Sequence, residues 1–221
     1  KNQNALSQAK IEGMLNNILE MKSGNTFTKT SLNDLTSMAS KLLIGIMEGN
    51  DKGVNARISS NLDFTLIKSR IVTTYANFLE DVLELAPAET EVETVMNLLK
   101  SDHLESVLEE GFDLYILIKT LSKQNEEALA IISEPEKGQD VVVSRAFEFF
   151  RKNTSSIEVV IETKVETVYF PLHPMCFYLP RETRQEFHLN VNRESPSTKI
   201  EEFLREIPIM INEMEYMSNF M

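Results

Sequence analysis

Leu32, Leu35, Met38, Ala39, Leu42, Leu43, Ile46 and Met47 recur every three or four residues, the spacing that lines one face of a helix. Gly49-Asn50 follows and predicts its end. A second stripe joins Leu62, Leu66, Ile67, Ile71, Tyr75, Phe78, Leu79, Val82 and Leu83. It stops at Ala86-Pro87, because proline disfavours helix in the residue before it. Shorter helices are predicted over 92–99 and 104–108. Residues 114–121 are apolar on nearly every side, as in a helix enclosed by neighbours. A break at 135–138 precedes a helix over 141–150, which ends in Arg151 and Lys152, cations suited to a helix C-terminus.

The period then changes from helical to alternating. Ile157, Val159 and Ile161 alternate with Ser156, Glu158 and Val160, and Val165, Thr167 and Tyr169 with Glu166, Val168 and Phe170. With Glu162-Thr163-Lys164 between them, the two runs predict a hairpin. Phe187, Leu189 and Val191 alternate again and predict a third strand. A closing helix is expected to start with Ser195 as cap and Pro196 in the first turn. Its apolar face is Phe203, Leu204, Ile207, Ile211 and Met214, with a kink or split at Pro208. The fold class expected is therefore mainly α over residues 1–152, then a small α+β unit over 153–221. No repeat recurs at a fixed period, but a divergent helical solenoid fits the first part.

Composition narrows the function. The 221 residues are 42% apolar, enough for a sizeable core, and carry a net charge of −12. A general nucleic-acid binder needs a basic face, and so does an electrostatic grip on anionic lipid. No apolar run approaches the ~20 residues of a spanning helix, and the polar start shows no signal peptide. The single cysteine, Cys176, excludes an internal disulfide framework and fits a reducing, cytosolic setting. A chain whose first residue is Lys1 is expected to be a piece of something larger.

Candidate chemistry is sparse. His103, His173 and His188 are far apart in sequence, and His173 with Cys176 is better read as a loop histidine near a buried thiol than as a metal site. There is no phosphate loop, nucleophile elbow or EF-hand loop. Glu89, Glu91 and Glu93, and Glu105, Glu109 and Glu110, read as solvated helix faces. No nucleophile, base and orienting group can be assembled, so an enzyme is not expected. Arg181 and Arg184, three apart on one helical turn, could present two guanidinium forks to phosphate oxygens. On spacing alone the plainer reading pairs them with Glu182 and Glu186. Met210, Met214, Met217 and Met221 make a stripe suited to a core or a protein partner.

Taken in order, the segments carry a resemblance. The stretch SSIEVVIETKVETVYFPLHPMCFYLPRETRQEF (155–187) and STKIEEFLREIPIMINEMEYM (197–217) resemble the segment before the first membrane helix of the intracellular calcium-release channels, the inositol trisphosphate receptors and ryanodine receptors. MASKLLIGIMEGND (38–51), NARISSNLD (55–63), GFDLYILIKTLSKQNEEALAIISEP (111–135) and AFEFFRKNTSSIEVV (146–160) are similar, in the same order, to the family's late armadillo region. Ryanodine receptors insert an EF-hand pair where this chain has a short acidic connector, so the inositol trisphosphate receptor is the nearer likeness.

The resemblance implies a regulatory and coupling segment of a homotetrameric, ligand-gated calcium channel of the endoplasmic reticulum, lying on the cytosolic face. Residues 1–152 would be the end of an armadillo-like solenoid, and 153–221 the β-containing lateral, juxtamembrane unit. Its partners would be the remaining channel domains and neighbouring subunits, with neither nucleic acid nor membrane insertion by this segment. It would require no cofactor. The family's calcium site aligns outside the chain, while its adenine-nucleotide site lands on RETRQ. Arg181 and Arg184 would then contact the phosphates of ATP, an allosteric ligand of the full channel, where the family commonly has lysine. A free-standing helical scaffold for protein–protein interaction is the alternative.

Overall fold

The computed structural model describes residues 10–21, 28–47, 52–85, 102–133, 141–161, 164–172, 176, 178–192 and 194–220. Among the described residues, seven helices come first. They are α1 (Ile11–Glu20), α2 (Lys29–Met47), α3 (Lys52–Asn61), α4 (Phe64–Leu85), α5 (Asp102–Leu121), α6 (Glu126–Ser133) and α7 (Val141–Lys152). Strands β1 (Thr154–Ile161) and β2 (Lys164–Pro171) follow, then α8 (Arg181–Asn190) and α9 (Pro196–Phe220). The chain is thus mainly helical with one small sheet, as the change of period predicts.

Side-chain caps set several helix starts. Asp63 Oδ1 accepts the amides of Thr65 and Leu66 at 2.9 and 3.0 Å, which opens α4. Asn125 Oδ1 accepts the Ala128 amide at 2.8 Å at the head of α6. Ser195 Oγ accepts the Thr198 amide at 3.1 Å with Pro196 in the first turn of α9, as expected.

α5 is the hub. It touches α2, α4, α6, α7 and β2, and Leu114, Tyr115, Ile116, Leu117, Ile118 and Leu121 are all buried. Against it lie Leu43 of α2, Ile67 and Ile71 of α4, Ala128 of α6 and Phe150 of α7, in one continuous core that also reaches Leu15 of α1. The α7 end adds an aromatic cluster. Phe150 stands edge-on to Phe112 at 5.0 Å and stacks on Tyr115 at 6.1 Å, while Phe149 reaches Tyr75 and Phe78. Gly111 makes this crossing possible, because a Cβ there would fall on the Phe150 ring and come within 3.1 Å of Thr74 Cγ2.

The hairpin is antiparallel, with Ile157 opposite Val168, Val160 opposite Val165 and Ile161 opposite Lys164. Lys164 therefore belongs to the strand and not to the turn.

Four other expectations need correction. Residues 104–108 and 114–121 form one helix, α5, since Gly111 is tolerated within it. On α2, Met38 is 68% exposed and Leu42 is also exposed, because the buried face is Leu32, Thr36, Ala39, Leu43 and Ile46. The third strand through Phe187, Leu189 and Val191 is absent among the described residues, and that segment is largely α8. Three alternating residues yield to a run of Arg, Glu, Gln and Leu that favours helix, opened by Pro180 in extended geometry. Leu189 is 83% exposed, so its alternation marks no buried face. Finally, α9 is not split. It runs through Pro208, which lies on an exposed side of the helix. The predicted helix at 92–99 and the stops at Gly49-Asn50 and Ala86-Pro87 lie outside the described residues.

Replacing Gly111 with alanine sets a gain of about 1 kcal/mol in helix propensity against about 2–3 kcal/mol of overpacking, the upper part of the usual range, because the added Cβ falls on a fully buried ring. Gly111→Ala is expected to lower the unfolding free energy by about 1–2 kcal/mol, read by urea denaturation. An unchanged midpoint would mean that the α5–α7 crossing is loose.

Candidate functional site

Three polar arrangements stand out. The first is a seam between α2, α4 and α5. Asp113, buried on α5, accepts a hydrogen bond from Ser37 Oγ, and Lys41 Nζ lies 3.4 Å from the same carboxylate while also donating to Glu109. One residue before Gly111, Glu110 is only 2% exposed. It accepts from Arg70 Nε at 2.8 Å and from Thr74 Oγ1 at 3.2 Å, and Arg70 Nη2 donates to Asn33 Oδ1 at 3.0 Å. Burial pushes the Asp113 carboxyl above its ordinary value, against the pull of Ser37 and Lys41. Burial pulls Lys41 down, but Glu109 and Asp113 outweigh it and leave the amine raised. The expected solvated face holds for Glu109 alone. For Glu110 it fails, because the two carboxylates flanking Gly111 point into the enclosed side of α5. The side chain of Glu105, and all of Glu89, Glu91 and Glu93, lie outside the described residues.

The second arrangement fastens the hairpin. Lys119 and Lys123, on and just after the last turn of α5, place their ammonium groups 5.7 and 5.2 Å from the ring centre of Tyr169 on β2. Lys119 also lies 5.8 Å from the Tyr115 ring. Burial raises the Tyr169 hydroxyl and pushes that of Tyr115 up to about 12, so both rings keep their protons at neutral pH. At the same open end of the hairpin, where Tyr169 lies opposite Ser156, Thr154 Oγ1 donates to the Phe150 carbonyl at 2.7 Å and the Leu172 amide to the Asn153 carbonyl at 2.8 Å. β1 is thereby continuous with α7.

The third contains the predicted arginines. Arg181 and Arg184 fall in the first turn of α8, both exposed, and the Arg184 amide closes that turn onto the Pro180 carbonyl at 3.1 Å. Among the described residues neither forms an ion pair with Glu182 or Glu186. Arg184 borders a cavity of about 440 Å³ whose apolar wall includes Leu172, Leu179, Ile207, Met210 and Met214. Cys176 also lines it and is half-buried, not buried. Of the histidines, His188 stands beside Phe187 at 5.9 Å, while His173 and the side chain of His103 are outside the described residues. Among the described residues no group of three or more His, Cys, Asp or Glu could hold a metal ion, and no helix is long and apolar enough to cross a membrane.

With this geometry in hand, a comparison bears on the chain. No protein-family model matches it. Over 107 residues it is 28% identical to an inositol 1,4,5-trisphosphate receptor of Caenorhabditis elegans. The matched stretch is 48% of this chain and 4% of the worm receptor. The chain is therefore similar, over about half its length, to a small part of a much larger protein.

Two outcomes test the seam. Arg70→Met leaves the Glu110 carboxylate buried without its cation, an omission that costs about 3–5 kcal/mol in a buried pair. Because Arg70 keeps some exposure, a loss of about 3 kcal/mol is expected, and adding Glu110→Gln should recover part of it. The second outcome concerns pH. A carboxyl whose folded-state pKa is raised binds more protons when folded than when unfolded, so its contribution falls as pH rises through that pKa. Lowering the pH from neutral toward 3.8, the ordinary aspartate value, should therefore favour the wild type over Asp113→Asn in paired urea titrations. A pH-independent difference would show that Asp113 titrates normally.

Proposed function

We propose that this chain is a cytosolic regulatory and coupling segment of a ligand-gated calcium-release channel of the inositol trisphosphate receptor type, acting in a homotetramer at the endoplasmic reticulum. The observation that carries the reading is the 107-residue similarity to the worm receptor. The architecture is compatible with it. A helical layer over 1–152, built on α5, passes movement to the β-containing unit over 153–221 through the Tyr169 contact and the α7–β1 junction. In this reading the segment catalyses nothing. It has two arrangements relative to its neighbours, and ligands that favour one of them bias the pore.

The same reading gives Arg181 and Arg184 the phosphates of an adenine nucleotide. The two forks share the first turn of α8, where the helix dipole also favours an anion, and no carboxylate among the described residues neutralises them. A nucleotide held there would favour one arrangement and, by linkage, potentiate opening. A free-standing scaffold would have no pore to bias.

The test is calcium release from microsomes bearing the full-length protein. Inositol trisphosphate is expected to evoke release, and ATP to enhance it. Arg181→Glu with Arg184→Glu should abolish the enhancement while leaving the release evoked by inositol trisphosphate. No evoked release from the wild type would remove the channel reading. Evoked release with undiminished enhancement in the double variant would remove only the nucleotide contacts.

A further inference from the structure

α9 carries a pattern that the channel reading does not use. Ile200, Leu204, Ile207, Ile211, Met214 and Ser218 follow one another at steps of four and three. That is a seven-residue repeat held over nearly three turns of the heptad, the spacing of a helix that packs along one seam against another helix. A globular surface helix would show the broader period of 3.6. The seam is filled only at its C-terminal end, where Ser218 is buried. Ile200 is 58% and Leu204 59% exposed, and Ile211 is exposed as well, although it borders the same cavity as Ile207 and Met214.

The two edges of the seam differ. Along one, Phe203 stands edge-on to Phe187 of α8 at 5.5 Å, and Met210 lies between α8 and α9. That edge faces α8, although Phe203 keeps some exposure. Along the other run Glu201, Pro208 and Glu215, all exposed. Among the described residues neither glutamate has a cationic partner. The whole helix carries five glutamates against Lys199 and Arg205.

We propose that the exposed seam of α9 is a docking site for a basic amphipathic helix of a partner protein. Its apolar residues would lie along Ile200, Leu204 and Ile211, and its lysines or arginines beside Glu201 and Glu215. Charge selects this occupant over the others. A second copy packed antiparallel sets Glu201 against Glu215, which repel. Packed parallel, it sets Glu201 against Pro196 and Glu215 against Met210, which offer them no cation. An anionic bilayer is repelled by the acidic edge and by the net charge of −12.

The test uses the 221-residue chain and two synthetic helical peptides with the same leucine heptad seam, one flanked by lysine and one by glutamate. The lysine peptide is expected to bind, and the glutamate peptide to bind at least about tenfold more weakly, by fluorescence anisotropy. Ile200→Glu with Leu204→Glu should weaken the lysine peptide about tenfold. Those two positions are already in solvent, so circular dichroism should be unchanged. The double variant is also more acidic, so mere charge attraction would strengthen binding, and the two explanations move in opposite directions. Glu201→Lys with Glu215→Lys should reverse the preference between peptides. The proposal is overturned by equal affinity for both peptides or by no binding of the lysine peptide. It is equally overturned by a wild-type dimer in sedimentation that the Ile200→Glu, Leu204→Glu variant dissolves, or by co-sedimentation with anionic phospholipid vesicles.

Discussion

The Phe150 ring lies against the bare α-carbon of Gly111, and the position of α7, with the hairpin that continues from it, depends on that approach. A side chain at 111 would hold α7 away from α5. With hydrogen there, α7 crosses close enough for Phe149 and Phe150 to join Phe112, Tyr115, Tyr75 and Phe78 in one aromatic cluster. The residues around the glycine divide the labour. Glu110 and Asp113 bind α4 and α2 by charge and hydrogen bond, and 114–121 supply the apolar contact that shields those bonds from water. A buried pair so shielded is costly to break and contributes modestly when intact. It therefore specifies which helices meet more than it adds to their stability.

Much of this was legible in the sequence, and the failures have physical causes. The all-round burial of 114–121 was visible because no polar residue interrupts it before Lys119. The hairpin was visible because two runs of alternation last long enough to outweigh helix propensity. Phe187, Leu189 and Val191 alternate over too few residues to do so, and α8 forms there instead. The face of α2 was misjudged because its buried side includes Thr36, Ser37 and Ser40, small polar residues of which Thr36 donates to the Leu32 carbonyl and Ser37 to Asp113, while the Ser40 hydroxyl is buried without a partner among the described residues. Ser37 pairs with a residue 76 positions away, and no periodicity reports such a partner. For the arginine pair, spacing placed both residues in one turn, as found, but could not show whether Glu182 or Glu186 would neutralise them.

The parts most open to solvent are those that the proposals concern. The helical layer encloses a continuous core and exposes scattered apolar residues such as Met38 and Val141, whereas the hairpin, α8 and α9 have little buried core and leave apolar side chains exposed at Ile157, Val160, Val165, Ile200 and Leu204. Such a distribution suits a segment whose first part is a rigid support and whose second part meets other surfaces. Both the channel reading and the α9 seam place their ligand or partner on that second part, and they meet at the cavity that Arg184 shares with Ile207, Ile211 and Met214.

The fastening of the hairpin also decides what kind of movement it can follow. A body tied to its support at one place can swivel about the tie, and only a pull is transmitted. The hairpin is tied at two, by the covalent passage from α7 into β1 and by the grip of Lys119 and Lys123 on Tyr169. The ties lie on different helices. A change in the angle between α5 and α7 would therefore act on the base of the hairpin from two helices at once and turn it, where a single tie would let it swivel.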